Sequence, residues 1–261
     1  MSNENKFKKI LLGENRDAVS LEHLWADVYG LKIKITAKES LMPLRSAFGN
    51  LIKDAESFQA KQILFRLVRD EFSDEIRPWL SPLGFTFKNE RVEFQKAVSE
   101  LPEDAGSPLR WKSALELSWT PQDIAQTLKL VAEGDPDTDP NEDPLSFIQD
   151  FLHDPVLTAG LNCIHVGFLK DEIAAFTVVQ INPKTGWSRI SYMGIAPKWR
   201  HHHLGQWVHR YSFKVMKESG AKLYHGGTGA TNISMIRLFE KHQCDRFRTM
   251  EEWIYSVEAT R

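Results

Sequence analysis

Two spacings of apolar residues alternate along the chain, and each predicts a kind of element. Leu41, Leu44, Phe48, Leu51 and Ile52 recur at helical intervals, which predicts a helix over 39–54. Leu21, Leu24, Trp25 and Val28 do the same behind a capping Ser20 and ahead of Gly30, so a helix is predicted there as well. Residues 5–12, LKIKIT (31–36), AKQILFRLV (60–68) and 85–98 read as strands, with a short helix at 73–80. Further on, Thr120 and Asp123 bracket Pro121 as at a helix N-terminus, and Ile124, Leu128 and Val131 line one face up to Gly134. Asp143-Pro144 opens another short helix. Strand-like runs follow at 161–169, 172–181 and 187–195, joined by Lys170-Asp171 and Asn-Pro-Lys-Thr-Gly (182–186), which predicts an antiparallel meander. A helix over 204–218, a strand over 221–227, a helix from Asn232 and a strand over 246–257 complete the order.

That order predicts an α+β fold, or α/β with a mixed sheet. The polar stretch 99–113, SELPEDAGSPLRWKS, reads as a linker and divides a small α/β N-terminal domain, 1–105, from a larger one, 106–261. A loose echo links the two. WLSPLGFTFKNERVEF (79–94) has the layout of LFEKHQCDRFRTMEEW (238–253): a helix end, a small turn, then a charged strand.

Composition narrows the classes. With 42% hydrophobic and 26% charged residues the chain has the balance of a globular protein, and its net charge of −2 gives no general basic field. Nucleic acid and membrane surfaces are therefore not expected partners. No apolar run reaches the roughly 18 residues of a membrane span, and the polar N-terminus does not read as a secretory signal. Cys163 and Cys244 form no CxxC pair and read as buried thiols, which points to the cytoplasm. A monomer or homodimer is expected.

The chemistry concentrates in Ile195-Ala-Pro-Lys-Trp-Arg-His-His-His-Leu-Gly205. A metal site is the weakest reading, because adjacent histidines cannot share one face of an element, and His209 lies too far beyond His201 for a simple chelate. No metal is expected. Nor is calcium: Asp135, Asp137 and Asp139 have the spacing of a calcium loop, but Pro140 and Ser146 stand where that loop needs glycine and glutamate. Two readings stay open. The stretch is a plain solvated helix start, or the unpaired amides around 201–205, with Arg200 beside them, bind an anion such as a pyrophosphate.

The stretch resembles motif A of the GCN5-related N-acetyltransferase (GNAT) family, V/I-x-P followed by Q/R-x-x-G-x-G/A, here Ile195-Ala-Pro197 and Arg200 to Gly205. His203 stands in place of the first glycine. If His203 takes helical dihedrals, that replacement is harmless. Asn232 to Cys244 is similar to the family's motif B, N-x-x-A-x-x-L-Y-E-K-x-G-F, with Phe239 in place of its tyrosine. The resemblance implies a GNAT fold in the C-terminal domain and, in the N-terminal one, a degenerate half of that fold, as in tandem members. It implies acetyl-CoA as cosubstrate, lying in a V between the strands at 187–195 and 221–226. The backbone at Met193 and Ile195 would pair with the pantetheine arm. Arg200, His201, His202, His203, Leu204 and Gly205 would take the pyrophosphate, and Asn232, Met235 and Phe239 would complete the cofactor site.

The implied activity is transfer of an acetyl group directly to an amine of a small molecule or peptide. The alternative is a non-catalytic acyl-CoA-binding or sensing module. For the base, histidine has the ordinary pKa nearest neutrality, so His225 is the first candidate, followed by Tyr192; Glu251 and Glu252 are weaker ones. An acidic loop at 135–139 would favour a cationic acceptor.

Overall fold

The computed structural model describes residues 10–11, 19–25, 28–33, 45, 61–70, 72–102, 106–138, 143–154 and 156–257. In chain order the strands are β1 (Ile10–Leu11), β2 (Val19–Trp25), β3 (Val28–Ile33), β4 (Gln62–Val68), β5 (Thr86–Ala97), β6 (Arg110–Ser113), β7 (Ile164–Leu169), β8 (Glu172–Ile181), β9 (Trp187–Ile195), β10 (Leu223–Gly229) and β11 (Asp245–Ser256). The α-helices are α1 (Ser73–Leu80), α2 (Pro121–Ala132), α3 (Pro144–Leu152), α4 (Gly205–Glu218) and α5 (Ile233–Lys241). The chain forms two compact units, Met1–Arg91 with Arg248–Arg261, and Val92–Phe247.

In the first unit the strand order is β1-β2-β3-β4-β11, followed by the first half of β5. The helix predicted from Ser20 is instead a strand pair, Val19–Trp25 antiparallel to Val28–Ile33. Val19, Leu21 and Trp25 fit a period of two as well as Leu21, Leu24, Trp25 and Val28 fit 3.6, and β-branched and aromatic residues tip such a short run toward strand. The helix predicted over 39–54 lies outside the described residues, Arg45 apart. Ile63, Phe65, Leu67, Ile76, Leu80 and Phe85 are buried, and so are Met250 and Trp253. Glu251 and Glu252, weaker candidates for a base, sit in this unit with their charges paired. Glu251 is 3% exposed and accepts from Arg77 Nη2 at 2.7 Å and from the Trp253 indole at 3.1 Å. Burial pushes its pKa up, but the hydrogen bonds from Arg77 and Trp253 outweigh that and hold it below the usual range. Glu252 accepts from Arg66 Nε at 2.9 Å.

In the second unit the order is the latter half of β5, then β10-β9-β8-β7-β6. The predicted meander is present, with β7, β8 and β9 antiparallel. Residues 110–113, part of the expected linker, form the edge strand β6 against β7. One face of the sheet carries α2 and α3, through Ile124, Leu128, Val131 and Ile148 against Val166, Phe176 and Val178. The other carries α4 and α5, through Phe213, Met216 and Phe239 against Val179 and Tyr224, and through Val208 against Ala175. The capping box at α2 forms as its sequence predicts, Thr120 and Asp123 bonding each other's backbone N–H.

The echo between 79–94 and 238–253 extends to the backbone. Each segment leaves a helix, turns at a residue with positive φ (Gly84 at +88°, Gln243 at +55°) and enters a twelve-residue strand, β5 or β11.

Candidate active site

Strands β9 and β10 run parallel but pair at only two positions, Leu223 with Trp187 and Tyr224 with Ser188. Beyond Tyr224 they separate, while β9 stays paired with β8 as far as Ile195. The ladder shows which backbone groups this leaves open. Ala196 N donates to Ala174 O at 3.0 Å, and inward-pointing residues alternate along an antiparallel pair. Gly194 and Tyr192 therefore point at β8, and the backbone groups of Met193 and Ile195 point into the opening. A register shift between Val178 and Val179 places an extra residue on β9. It allows Ile190 and Met193 both to pack toward α4, while Tyr192 turns to the α2–α3 face.

At the mouth of the opening, the chain passes from Ile195 to α4. His201 and His203 take left-handed backbone conformations, φ +66° and +57°, and Leu204 returns to the right-handed region. His203 is thus not helical, and it occupies a conformation that favours glycine. The left-handed to right-handed step turns successive N–H groups toward one side, a concavity suited to an anion. Among the described residues, none of the amides of His201 to Gln206 has an acceptor. The imidazoles of His201, His202 and His203 are exposed, and Leu204 is buried against Val208. Gly205 begins the helix with room to spare: a Cβ there would meet only Leu238 Cδ2, at 3.9 Å. The Arg200 guanidinium is turned away toward the end of α2. Its Nε donates to Ile195 O at 3.0 Å and its Nη2 to Val131 O at 3.1 Å, stapling the loop to the end of α2. Among the described residues, no group of three or more His, Cys, Asp or Glu side chains is placed to hold a metal ion.

The sequence pattern of the Acetyltransferase (GNAT) family matches residues 124–243. Residues 124–243 are a GNAT domain. A GCN5-related N-acetyltransferase from Kribbella flavida is similar in structure at 12% identity, TM-score 0.65, over 98% of this chain and 91% of that one. One from Sphaerobacter thermophilus gives 12% identity, TM-score 0.64, over 92% and 76%. A tandem GNAT protein from the clavulanic acid biosynthesis pathway gives 11% identity, TM-score 0.58, over 94% and 81%. At these identities the likeness shows the fold alone. No curated protein sequence matches the chain significantly.

Within the GNAT domain, the other predicted residues have occupations of their own. Asn232 caps α5, accepting from Met235 N at 3.1 Å, and its Nδ2 donates to Asp137 at 3.1 Å. Met235 is half-buried beside Phe239. Phe239 is buried and stacks on Phe94 at 4.4 Å. Its ring also lies 2.6 Å from where a Cβ on Gly226 would be, so β10 can pass here only with glycine. The Tyr192 hydroxyl donates to Asp135 at 3.1 Å, and burial followed by that carboxylate pushes its pKa up. A phenol so held keeps its proton near neutrality and is unsuited to act as base. Asp137 accepts from the Thr228 hydroxyl at 2.5 Å and from Gly229 N at 3.1 Å. The acidic stretch that suggested a cationic acceptor therefore spends Asp135 and Asp137 on tying the α2–α3 connection to β9 and to the start of α5.

His225 follows Tyr224, the last residue of β10 paired with β9, and lies on the sheet face opposite to Tyr224. The rings of Trp187 and Phe247 flank it, with centroids at 5.8 and 5.1 Å. Glu93 Oε2 lies 3.3 Å from its Nε2. With strands rising about 3.3 Å per residue, Tyr192 sits roughly 10 Å farther along the opening, so the two candidates do not meet. Sequence reasoning missed Glu93. Its only signal is alternation in β5, where Val92 and Phe94 are buried and Glu93 takes the other face. It also missed a buried chain, His242 Nδ1 to His209 Nδ1 at 2.9 Å and His209 Nε2 to the Tyr224 hydroxyl at 2.9 Å.

Proposed function

We propose that the chain is a cytoplasmic N-acetyltransferase that moves the acetyl group of acetyl-CoA directly to an amine of a small molecule or peptide. The observation that carries this reading is the pair of open backbone stretches along one opening, the outward-facing groups of Met193 with the N–H of Ile195, and the amides of His201–Gln206, which have no acceptor among the described residues. Backbone N–H groups without a protein acceptor need one from water or a ligand. An extended arm carrying amides would satisfy the first group, and a pyrophosphate the second. Arg200 shapes the loop and adds positive charge beside it.

His225 is the base. The amine nitrogen attacks the thioester carbonyl, the C–N bond forms, and the nitrogen's proton passes to the imidazole. The C–S bond then breaks and the thiolate takes a proton from water. Phe239 supplies no acid, but an ordinary thiol has a pKa near ~8.5, only about 2 kcal/mol from protonation balance at pH 7. The amine attacks directly, so the buried, unpaired Cys163 and Cys244 have no part to play. The matching helix–turn–strand segments, with aligned positive-φ turns, support reading the first unit as a degenerate relative of the second.

Phe239 and the engaged Tyr192 favour a second reading, an acyl-CoA-binding module without turnover. The two readings part on one measurement, thiol release from acetyl-CoA over a panel of amines. Both depend on the loop, and Gly205→Ala tests that. The added methyl meets only Leu238, and alanine is favoured over glycine in a helix by roughly 0.5–1 kcal/mol. The variant should fold at least as well as the wild type, yet lose about tenfold or more in acetyl-CoA affinity by calorimetry, because the methyl stands among the amides. Unchanged affinity would remove the site, and both readings with it.

A further inference from the structure

We infer that Glu93 is a positioning residue: it fixes the His225 imidazole in the tautomer with its proton on Nε2, leaving the Nδ1 lone pair free toward the open side of the site. The inference rests on the reading of His225 as the base. His225 Nε2 is closed off from solvent and meets no full hydrogen-bond geometry in this structure, and the Glu93 carboxylate lies 3.3 Å from it. A bare nitrogen lone pair against a carboxylate would be repulsive, and a buried N–H with no acceptor would cost about 1–3 kcal/mol. The arrangement is favourable only when Nε2 carries the proton and Glu93 accepts it. Nδ1, by contrast, has no hydrogen-bond partner among the described residues and is not among the sealed polar atoms.

Packing holds the ring in this pose. Trp187 and Phe247 meet it edge-on, at interplanar angles of 64° and 70°. The side chains of His225 and Glu93 are 18% and 15% exposed, so water competes little for either. Strand alternation brings them together: Val92 and Phe94 in β5, and Tyr224 and Gly226 in β10, are buried, which leaves Glu93 and His225 on the other face. An imidazole whose second nitrogen is held by a carboxylate keeps one tautomer and orientation, and its free nitrogen is ready to take a proton.

The test combines spectroscopy with kinetics on the full chain. In protein labelled with 15N-histidine, the His225 signals are assigned by their loss in His225→Gln. Neutral His225 should show its proton on Nε2 in the wild type and a mixture of tautomers in Glu93→Ala. With an amine found to release thiol, Glu93→Ala should lower kcat by about tenfold or more while the KM for acetyl-CoA stays within about twofold. Glu93→Gln, whose amide oxygen still accepts from Nε2, should keep the tautomer and recover part of kcat. A wild-type proton on Nδ1, or full kcat in Glu93→Ala, overturns the inference. If the wild type releases no thiol with any amine, the transferase reading fails, and the tautomer result still decides whether Glu93 holds His225.

Discussion

His203 shows how much a single backbone angle can carry. A side chain in the left-handed region costs roughly 1–2 kcal/mol, and glycine in the same place gives back about 0.5–1 kcal/mol through the freer unfolded chain. With φ at +57° and an exposed imidazole, His203→Gly should therefore stabilise the protein by about 0.5–1 kcal/mol, or a rise in Tm of about 1–4 °C. Calorimetric affinity for acetyl-CoA should be kept or improved, since the amides stay where they are and a side chain beside them is gone. A lower Tm would mean that the imidazole makes a contact worth more than the strain. Tyr192 makes a contrasting case. Its hydroxyl donates to Asp135 at 3.1 Å and holds its proton tightly, so its work is structural. Tyr192→Phe should cost about 1 kcal/mol in chemical denaturation and leave kcat within about threefold. A loss of a hundredfold in kcat with unchanged stability would return Tyr192 to the chemistry. Residue types at the site were readable from the chain; their partners were not. Nothing near position 192 in sequence announces Asp135, and nothing near 225 announces Glu93, because both partners arrive through the sheet.

Among the elements, those with strong local punctuation were legible. The helix at Ser73–Leu80, the strands Glu172–Ile181 and Trp187–Ile195, and the Thr120 cap all lie where spacing and capping residues place them. Val19–Ile33 misled because its short apolar run satisfies two periods at once, and long-range pairing decides between them: Val28–Leu31 lies parallel to Gln62–Phe65. The parting of β9 and β10 was expected from the family resemblance, but no residue spacing encodes it. It depends on where pairing stops, and the α2–α3 connection reaches both sides of that point. Asp137 gathers the Thr228 hydroxyl, Gly229 N and Asn232 Nδ2 at the end of β10 and the start of α5. A carboxylate at a helix N-terminus with charge-assisted bonds is a tie between elements. Asp137→Ala should destabilise the fold by about 1–3 kcal/mol and raise hydrogen exchange at Gly229 and along the first turn of α5. Wild-type exchange at those amides would show that the connection merely rests there.

At the scale of the whole molecule, acid sensitivity follows from histidines sealed in the second unit. His165 and His242 have pKa values lowered to about 4, and His209 is lowered as well, burial being the leading cause for each. His209 and His242 face each other through their Nδ1 atoms at 2.9 Å, a bond that needs a single proton between the two rings. A second proton there would set two donors against each other. In the unfolded chain all three titrate near ~6.5, so below that pH the unfolded state binds protons that the native state refuses. The stability these groups contribute is fully present above about pH 7 and is lost as pH falls from about 6.5 toward 4. By pH 5 the loss is on the order of 2 kcal/mol each for His165 and His242, and His209 adds to it. Glu251, Glu116 and Asp123 have lowered pKa values, so their contribution is full above the usual carboxylate range and is lost as pH falls through that range and below it. The two groups of residues thus act in separate windows. Urea midpoints taken between pH 7.5 and 5 should fall steadily, and the slope of unfolding free energy against pH near 5.5 should correspond to the uptake of about two protons by His165 and His242, with His209 adding to it. A flat profile down to pH 5 would mean that these imidazoles open to water or find partners without unfolding, and the sealed His242–His209–Tyr224 chain would then not be the resting arrangement of the protein.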